Sequence, residues 1–292
     1  MQKKNKITQF ILWIFFLILC LMILFPFCLL VSASFTDSAT LAAKGYKLIP
    51  EHFDLSAYKF VFRNTDQILN AYKVTAIYSL INMVLNVLLM AMIAYPLATD
   101  KLKGKKFINF YLYFTMLFSG GLVPTYIVVA KYLHLNNTIW VYILPQLISP
   151  WYVFMMRTFF GGIPKEIMES ATIDGASEYR IFFQMILPLS KPVLATVALF
   201  VFLASWNDWN TALIYITDEK LFSLQYLLQS IMENINMIKQ NQVAASMTSM
   251  KDIPTETVRM AMAVIVAGPA LIVFPFFQKY FTKGLTVGAV KG

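Results

Sequence analysis

The 292-residue sequence is poor in charge: 13% of its residues are Asp, Glu, Lys or Arg, against about a quarter in a soluble domain. So thin a charged surface excludes a water-soluble enzyme. There are two Cys, both in the first apolar run, two His isolated from each other at His52 and His134, and no paired carboxylates within an apolar run, so no metal cluster or nucleophile–base pair of covalent catalysis is visible. No GxxxxGK[ST] phosphate loop occurs, so any ATP chemistry has to come from another subunit. The 11 Gly follow no period, which excludes collagen, and the chain shows no internal repeat or low-complexity tract. Apolar surface is what the chain has in quantity. Hydrophobic residues make up 59%, with 25 Phe, 15 Tyr and 5 Trp, and the mean hydropathy is +0.64, far too apolar for a disordered chain. The class that remains is an all-α, polytopic membrane protein.

Crossing a hydrocarbon layer takes about 20 helical residues. Uncharged runs of that order cover 7–36, 74–99, 107–130, 135–156 and 260–278, and a sixth, 192–216, is interrupted only by Asp208. A lone carboxylate costs about 2.5–3.5 kcal/mol on insertion scales, which the neighbouring Leu, Val and Phe offset. Six membrane helices are therefore expected, at about 8–35, 74–98, 107–130, 136–156, 192–216 and 260–278, within a single transmembrane domain covering 1–292. An even number puts both termini on one side. With the termini in the cytoplasm, the inner segments hold 14 of the 24 Lys and Arg but five of the 15 acids, the asymmetry of the positive-inside rule. The basic balance thus reports membrane orientation and lipid contact, and gives no reason to invoke nucleic acid. The first run exceeds the usual 7–15-residue core of a signal peptide and no small-x-small site follows it, so it reads as a retained anchor. Cys20 and Cys28 lie in it, eight residues apart; about 80° of rotation and about 12 Å of rise keep them from bridging. The outer segments 37–73 and 218–259 are mixed in charge and punctuated by Pro50 and Pro254, the pattern of short amphipathic helices on the outer surface.

The most informative stretch lies between the fourth and fifth runs, RTFFGGIPKEIMESATIDGASEYRIFFQMILPLSKP, with 157–191 as a cytoplasmic loop. Gly161 and Gly162 end the fourth run, Pro164 suits a first helical turn, and 165–173 forms a short helix stopped at Asp174-Gly175 with glycine in the left-handed position. A second helix is expected over 176–186 until Leu187-Pro188 turns the chain back into the membrane. The first helix is too short to hold in water alone. Two readings of its residues are open. Glu169 is either a solvated face or a contact, and Asp174 and Gly175 are either a cap of the second helix and an ordinary helix stop or part of a docking element.

The spacing Glu169-Ser170-Ala171, Asp174-Gly175-Ala176, Ile186-Leu187-Pro188 resembles the EAA loop of the membrane subunits of bacterial ABC importers, with Ser170 in place of the first alanine. The likeness extends over most of the chain and is greatest to the carbohydrate-uptake, maltose-type permeases. It is carried also by LIPEHFDLSAY over 48–58, FSGGLVP over 118–124, Trp206-Asn207-Asp208, and the tail from Lys283-Gly284-Leu285 to Gly292. The FSGG run resembles permeases for larger oligosaccharides. This resemblance implies the type I ABC importer fold in the bacterial cytoplasmic membrane, and a permease moving an oligosaccharide by alternating access. Its partners would be a second homologous permease, two ATPase subunits and an extracytoplasmic sugar-binding protein. It also implies no cofactor on this chain, with ATP and Mg on the ATPase, and an ATPase-coupling role for Glu169, Ala171, Asp174, Gly175, Leu187 and Pro188.

In the fifth run, Trp206, Asn207, Asp208, Trp209 and Asn210 combine indole faces with amide and carboxylate groups, the set that stacks on and hydrogen-bonds a sugar. The same set also serves as glue between membrane helices, and both readings stand. A self-sufficient ion- or proton-coupled carrier is the alternative function, opposed by the isolation of Asp208; a third is a structural scaffold with no cavity.

Overall fold

The structure is a computed structural model describing residues 6–99, 102–240 and 255–288, and every structural statement below concerns those residues. Their regular secondary structure is helical, with one isolated bridge between Thr36 and Phe53. Contacts divide the chain into two compact units, one from residues up to 66 together with 228–268, the other from 67–227 together with residues from 269 onward.

In the first unit α1 (Lys6–Ser34) is apolar on all sides and exposed until its last turn, where Ser32, Ala33 and Ser34 are buried; the exposed part is in the condition of a helix whose surroundings are themselves apolar. The chain then reverses through short helices, α2 (Ser38–Lys44) and α3 (Ser56–Val61). Asp37 caps α2 by accepting the Thr40 N–H at 3.0 Å, and Gly45 ends it at φ +72°. Phe35 stacks between Phe53 and Tyr58, with ring centroids 5.4 and 5.0 Å away. Lys44 and Lys47 clasp Glu51, and hydrogen bonds from the two ammonium groups hold its carboxyl down at about 2. A depressed carboxylate contributes above its ordinary range and is lost as pH falls through the folded value, so this clasp persists down to about pH 2.

The second unit is built on α4 (Thr65–Ala98), whose buried residues fall on both halves of the helix. Its later half, from Met90 to Leu97, packs with Val153, Met156 and Phe160 of α7 (Pro150–Gly161) and with Val193 and Val197 further on. Its earlier half meets a second cluster containing Tyr142, Ile143, Ala212 and Ile216, where the Tyr78 and Tyr142 rings stack at 4.4 Å. After α13 (Leu224–Gln240), the last described helix is α14 (Thr255–Gly288), which contains the apolar run Glu256–Gln278.

Three helices are long and apolar enough to cross a membrane: Gln9–Ser34, Thr65–Ala98 and Glu256–Gln278. Three more candidates are bent pairs, which brings the count to six if each pair is one crossing. The third uncharged run is not one helix: α5 (Lys105–Leu117) and the segment Leu122–Tyr132, beginning with α6 (Leu122–Tyr126), meet at 114°. The cause is Gly121, at φ +86°, a backbone conformation glycine adopts without steric cost. In the fourth run, 3₁₀ turns over Ile139–Gln146 meet α7 at 51°, where Pro145 and Pro150 remove amide donors from any continuous ladder. The third bent pair joins Glu178–Leu189 to α11 (Lys191–Trp206) at 79°, and the fifth run continues beyond α11 as α12 (Asn210–Tyr215), the two separated at 207–209.

Candidate functional site

The loop between α7 and α11 contains α8 (Lys165–Ile173), α9 (Glu178–Ile181), a π turn over Phe182–Ile186 and α10 (Leu187–Leu189). The periodicity of KEIMESATI decides which face of α8 is covered. Ile167, Met168 and Ala171, at spacings of one, three and four, pack on the cluster containing Phe160, Ile163, Ile181 and Ile186. Glu169, Ser170, Thr172 and Ile173 face outward, and Ile173 is 86% exposed. A fully exposed isoleucine at a helix tip beside an exposed glutamate is a contact surface in need of a partner.

The end of α8 is a Schellman cap. Ala176 N–H donates to Ala171 O at 3.0 Å and Gly175 N–H donates to Thr172 O at 3.1 Å, with Gly175 at φ +79°. Alanine at 171 and 176 lets the two ends of the motif close on the apolar cluster, while glycine at 175 tolerates the left-handed backbone. The second helix begins later than the sequence suggests. Its cap is Ser177, whose hydroxyl accepts the Arg180 N–H at 3.4 Å; Asp174 is the C-cap of α8 and does not cap the second helix. Nor does the chain turn at Leu187-Pro188. Pro188 occupies the first turn of α10, where no amide donor is needed, and the 79° bend comes at Ser190.

The loop is tied to the end of α4. Tyr95 donates its hydroxyl to Glu178 Oε2 at 2.7 Å and packs its ring against Phe182 at 5.4 Å. A cleft of about 540 Å³ opens between Tyr95, Phe160, Lys165, Glu169 and Glu178. Tyr95→Phe keeps the ring contact and removes one hydrogen bond to a charged group, typically worth about 1.5–3 kcal/mol before solvent exposure reduces it. A loss of about 1 kcal/mol is therefore expected, read as a lower unfolding midpoint of the purified protein.

The second set of residues lies at the break between α11 and α12. Trp206 is buried, with Phe202 at 5.7 Å and Tyr72 at 6.3 Å. Asn207 donates to Leu203 O at 2.8 Å and accepts from Gln225 Nε2 at 2.8 Å. Asp208 caps α12 by accepting the Thr211 N–H on Oδ1 at 3.0 Å, and its Oδ2 accepts from Gln146 at 3.0 Å. Its carbonyl accepts the Ser223 hydroxyl at 2.9 Å. The side chains of Asn207 and Asp208 are thus engaged within the chain, and Asn207, Trp209 and Asn210 are exposed. Of the two residue sets, the structure ties Asn207 and Asp208 to Gln146, Ser223 and Gln225, none of which stood out in the sequence.

A stripe of buried polar residues on α4 was also missed: Thr75, Tyr78, Ser79, Asn82 and Asn86. Their helical spacing within an uncharged run was a usable signal. Thr75 Oγ1 accepts the Leu224 N–H at 2.8 Å and Tyr78 donates to Ser205 O at 2.9 Å. Asn82 Nδ2 donates to Tyr142 O at 2.8 Å and to Ser205 Oγ at 3.1 Å. Among the described residues no cluster of His, Cys, Asp and Glu is able to hold a metal.

Residues 5–287 match the family described as binding-protein-dependent transport system inner membrane component. The polygalacturonan/rhamnogalacturonan transport system permease protein YtcP of Bacillus subtilis (strain 168) is 36% identical over 99% of this chain and 100% of its own. The arabinooligosaccharides transport system permease protein AraQ of Halalkalibacterium halodurans is 31% identical over 100% of this chain and 99% of its own. A crystal structure of a bacterial ABC transporter involved in the import of the acidic polysaccharide alginate superposes with a TM-score of 0.77 at 26% identity, covering 96% of this chain and 99% of the other.

Proposed function

This chain belongs to the family of binding-protein-dependent transport system inner membrane components, and on that premise we propose that it is the permease subunit of an ATP-driven importer carrying an oligosaccharide across the cytoplasmic membrane. It is not itself an enzyme. ATP and Mg reside on two ATPase subunits, and this chain binds no cofactor. A second homologous permease completes the pathway, and an extracytoplasmic sugar-binding protein delivers the substrate. Both termini and the loop 157–191 face the cytoplasm, a reading supported by the Lys and Arg excess in those segments.

The observation that carries this reading is α8 itself, anchored by Ala171 and offering Glu169 and Ile173 outward. A peg of nine residues needs a receiving surface, and a groove on an ATPase supplies one. Closure of the ATPase pair pulls on α8, and the covered face of α8 transmits the movement to α4, α7 and α11. Glu169, Asp174, Gly175 and Pro188 lie exposed on the loop that carries α8, with Ala171 buried and Leu187 half-buried. Trp206, Asn207, Asp208, Trp209 and Asn210 form the candidate substrate-pathway set, of which Asn207, Trp209 and Asn210 have surface to offer a sugar.

Vesicles containing the assembled transporter and loaded with ATP should take up labelled oligosaccharide, and vesicles lacking ATP or the ATPase subunits should take up none. Uptake driven by an ion gradient alone would establish the carrier reading in its place. Trp209→Ala, at equal protein level, should slow uptake severalfold if the exposed indole meets the sugar; unchanged kinetics would remove it from the pathway.

A further inference from the structure

Among the described residues, three of the buried side-chain atoms without a hydrogen-bond partner lie on one face of α4: Ser79 Oγ, Asn82 Oδ1 and Asn86 Nδ2. Asn82 and Asn86 are 1% and 3% exposed. Native interiors rarely leave such atoms unpaired, and each one calls for an explanation. Both asparagines line a cavity of about 350 Å³ together with Gln146, Ser149, Tyr152 and Ser205, a size within the ~300–1,000 Å³ range of small-molecule sites. By helical rise they stand about 12 and 18 Å into the uncharged run that begins at Val74, near the middle of a hydrocarbon layer about 30 Å thick.

The chemistry of the orphaned atoms narrows the ligand. Asn82 Nδ2 is already committed to the Tyr142 carbonyl and Ser205 hydroxyl, so its oxygen is left as an acceptor; one turn away Asn86 leaves a donor. A cation satisfies acceptors only and an anion satisfies donors only. A hydroxyl does both. No charged side chain lines the cavity, so a carboxylate entering it would lose its hydration with no cation to receive it. Tyr152 adds an aromatic wall of the kind on which a sugar ring packs.

We propose that this cavity is a sugar subsite belonging to this chain, taking the hydroxyl edge of an uncharged sugar ring through Asn82 Oδ1 and Asn86 Nδ2. The inference rests on the oligosaccharide-import reading and adds to it a specificity. A uronate ring, if carried, places its carboxylate elsewhere. The subsite is distinct from the 206–210 set, which adjoins it through Ser205 and Gln146.

The test uses the assembled transporter in ATP-loaded vesicles, with its sugar-binding protein saturated so that the affinity of that protein drops out. The probes are labelled trimers of glucose, galactose, arabinose and galacturonate. Wild type is expected to carry at least one neutral trimer. Asn86→Leu and, independently, Tyr152→Leu are expected to slow its uptake about tenfold and to change the rate ratio among neutral trimers. A leucine replacing a buried amide whose nitrogen has no partner should leave the unfolding midpoint equal or higher. Unchanged rate and ratio in both variants would mean that the cavity holds only water, and a lowered midpoint for Asn86→Leu would mean that its amide has a structural partner; either overturns the subsite. Uptake confined to the galacturonate trimer overturns the uncharged ring. ATP-dependent uptake of no trimer overturns the oligosaccharide reading itself, an outcome distinct from the other three.

Discussion

Gly175→Asp is expected to reduce ATP-driven uptake by on the order of 100-fold, the kinetic equivalent of about 2.7 kcal/mol, while the protein remains inserted at a level within about twofold of wild type. The separation of these effects follows from the cap. Gly175 stands at φ +79°, and a Cβ built there meets no atom within 4 Å. Any L-residue is therefore strained by about 1–2 kcal/mol, but nothing has to move. That strain alone leaves the fold standing. Aspartate further places a negative charge at the C-terminal end of α8, where the helix dipole is already negative, and next to Asp174. The charge faces outward, so its main effect falls on the receiving surface. Gly175→Asn separates charge from backbone, since asparagine tolerates the left-handed region better than most residues; it should keep most of the uptake. Equal loss of inserted protein and of uptake in Gly175→Asp would assign the glycine a folding role alone.

The sequence made some of this architecture readable because the physical cause was local. Runs of uncharged residues are sufficient for α1, α4 and the apolar part of α14, and the pattern KEIMESATIDG contains both the covered face of α8 and its glycine stop. Where the cause is non-local, composition misleads. Residues 107–130 and 192–216 are as apolar as unbroken helices. One is folded back at Gly121. The other is opened where Asp208 finds better partners in Thr211 N–H and Gln146 than in a continuous ladder. The same holds for Ser177, which takes the capping role from Asp174 because the Schellman closure through Ala176 carries the chain past the aspartate. Asn82 and Asn86 lie silent in hydropathy, since two amides among so many Leu, Met and Val scarcely alter a mean; their significance appears only when their partners are counted.

At the break between α11 and α12, Asp208→Ala should lower stability by about 1–2 kcal/mol and uptake by about tenfold or more, whereas Asp208→Asn should remain near wild type. Alanine withdraws the acceptor of the Thr211 N–H and one acceptor of Gln146, although Gln146 retains Thr211 Oγ1 at 3.3 Å. It thereby uncaps α12 and frees Gln146, a residue that also lines the polar cavity. Asparagine retains an oxygen for the cap, and its NH₂ can donate to the Gln146 carbonyl once that amide turns over. The pair thus separates two roles that the Trp-Asn-Asp cluster could serve. Were the carboxylate charge itself to grip the substrate, asparagine would lose uptake as fully as alanine while the unfolding midpoint stayed in place. A network that holds the broken helix open gives the opposite order, with midpoint and uptake falling together in alanine and both recovering in asparagine. The two hydrogen bonds to the Asp208 carboxylate, both 3.0 Å, favour the second order.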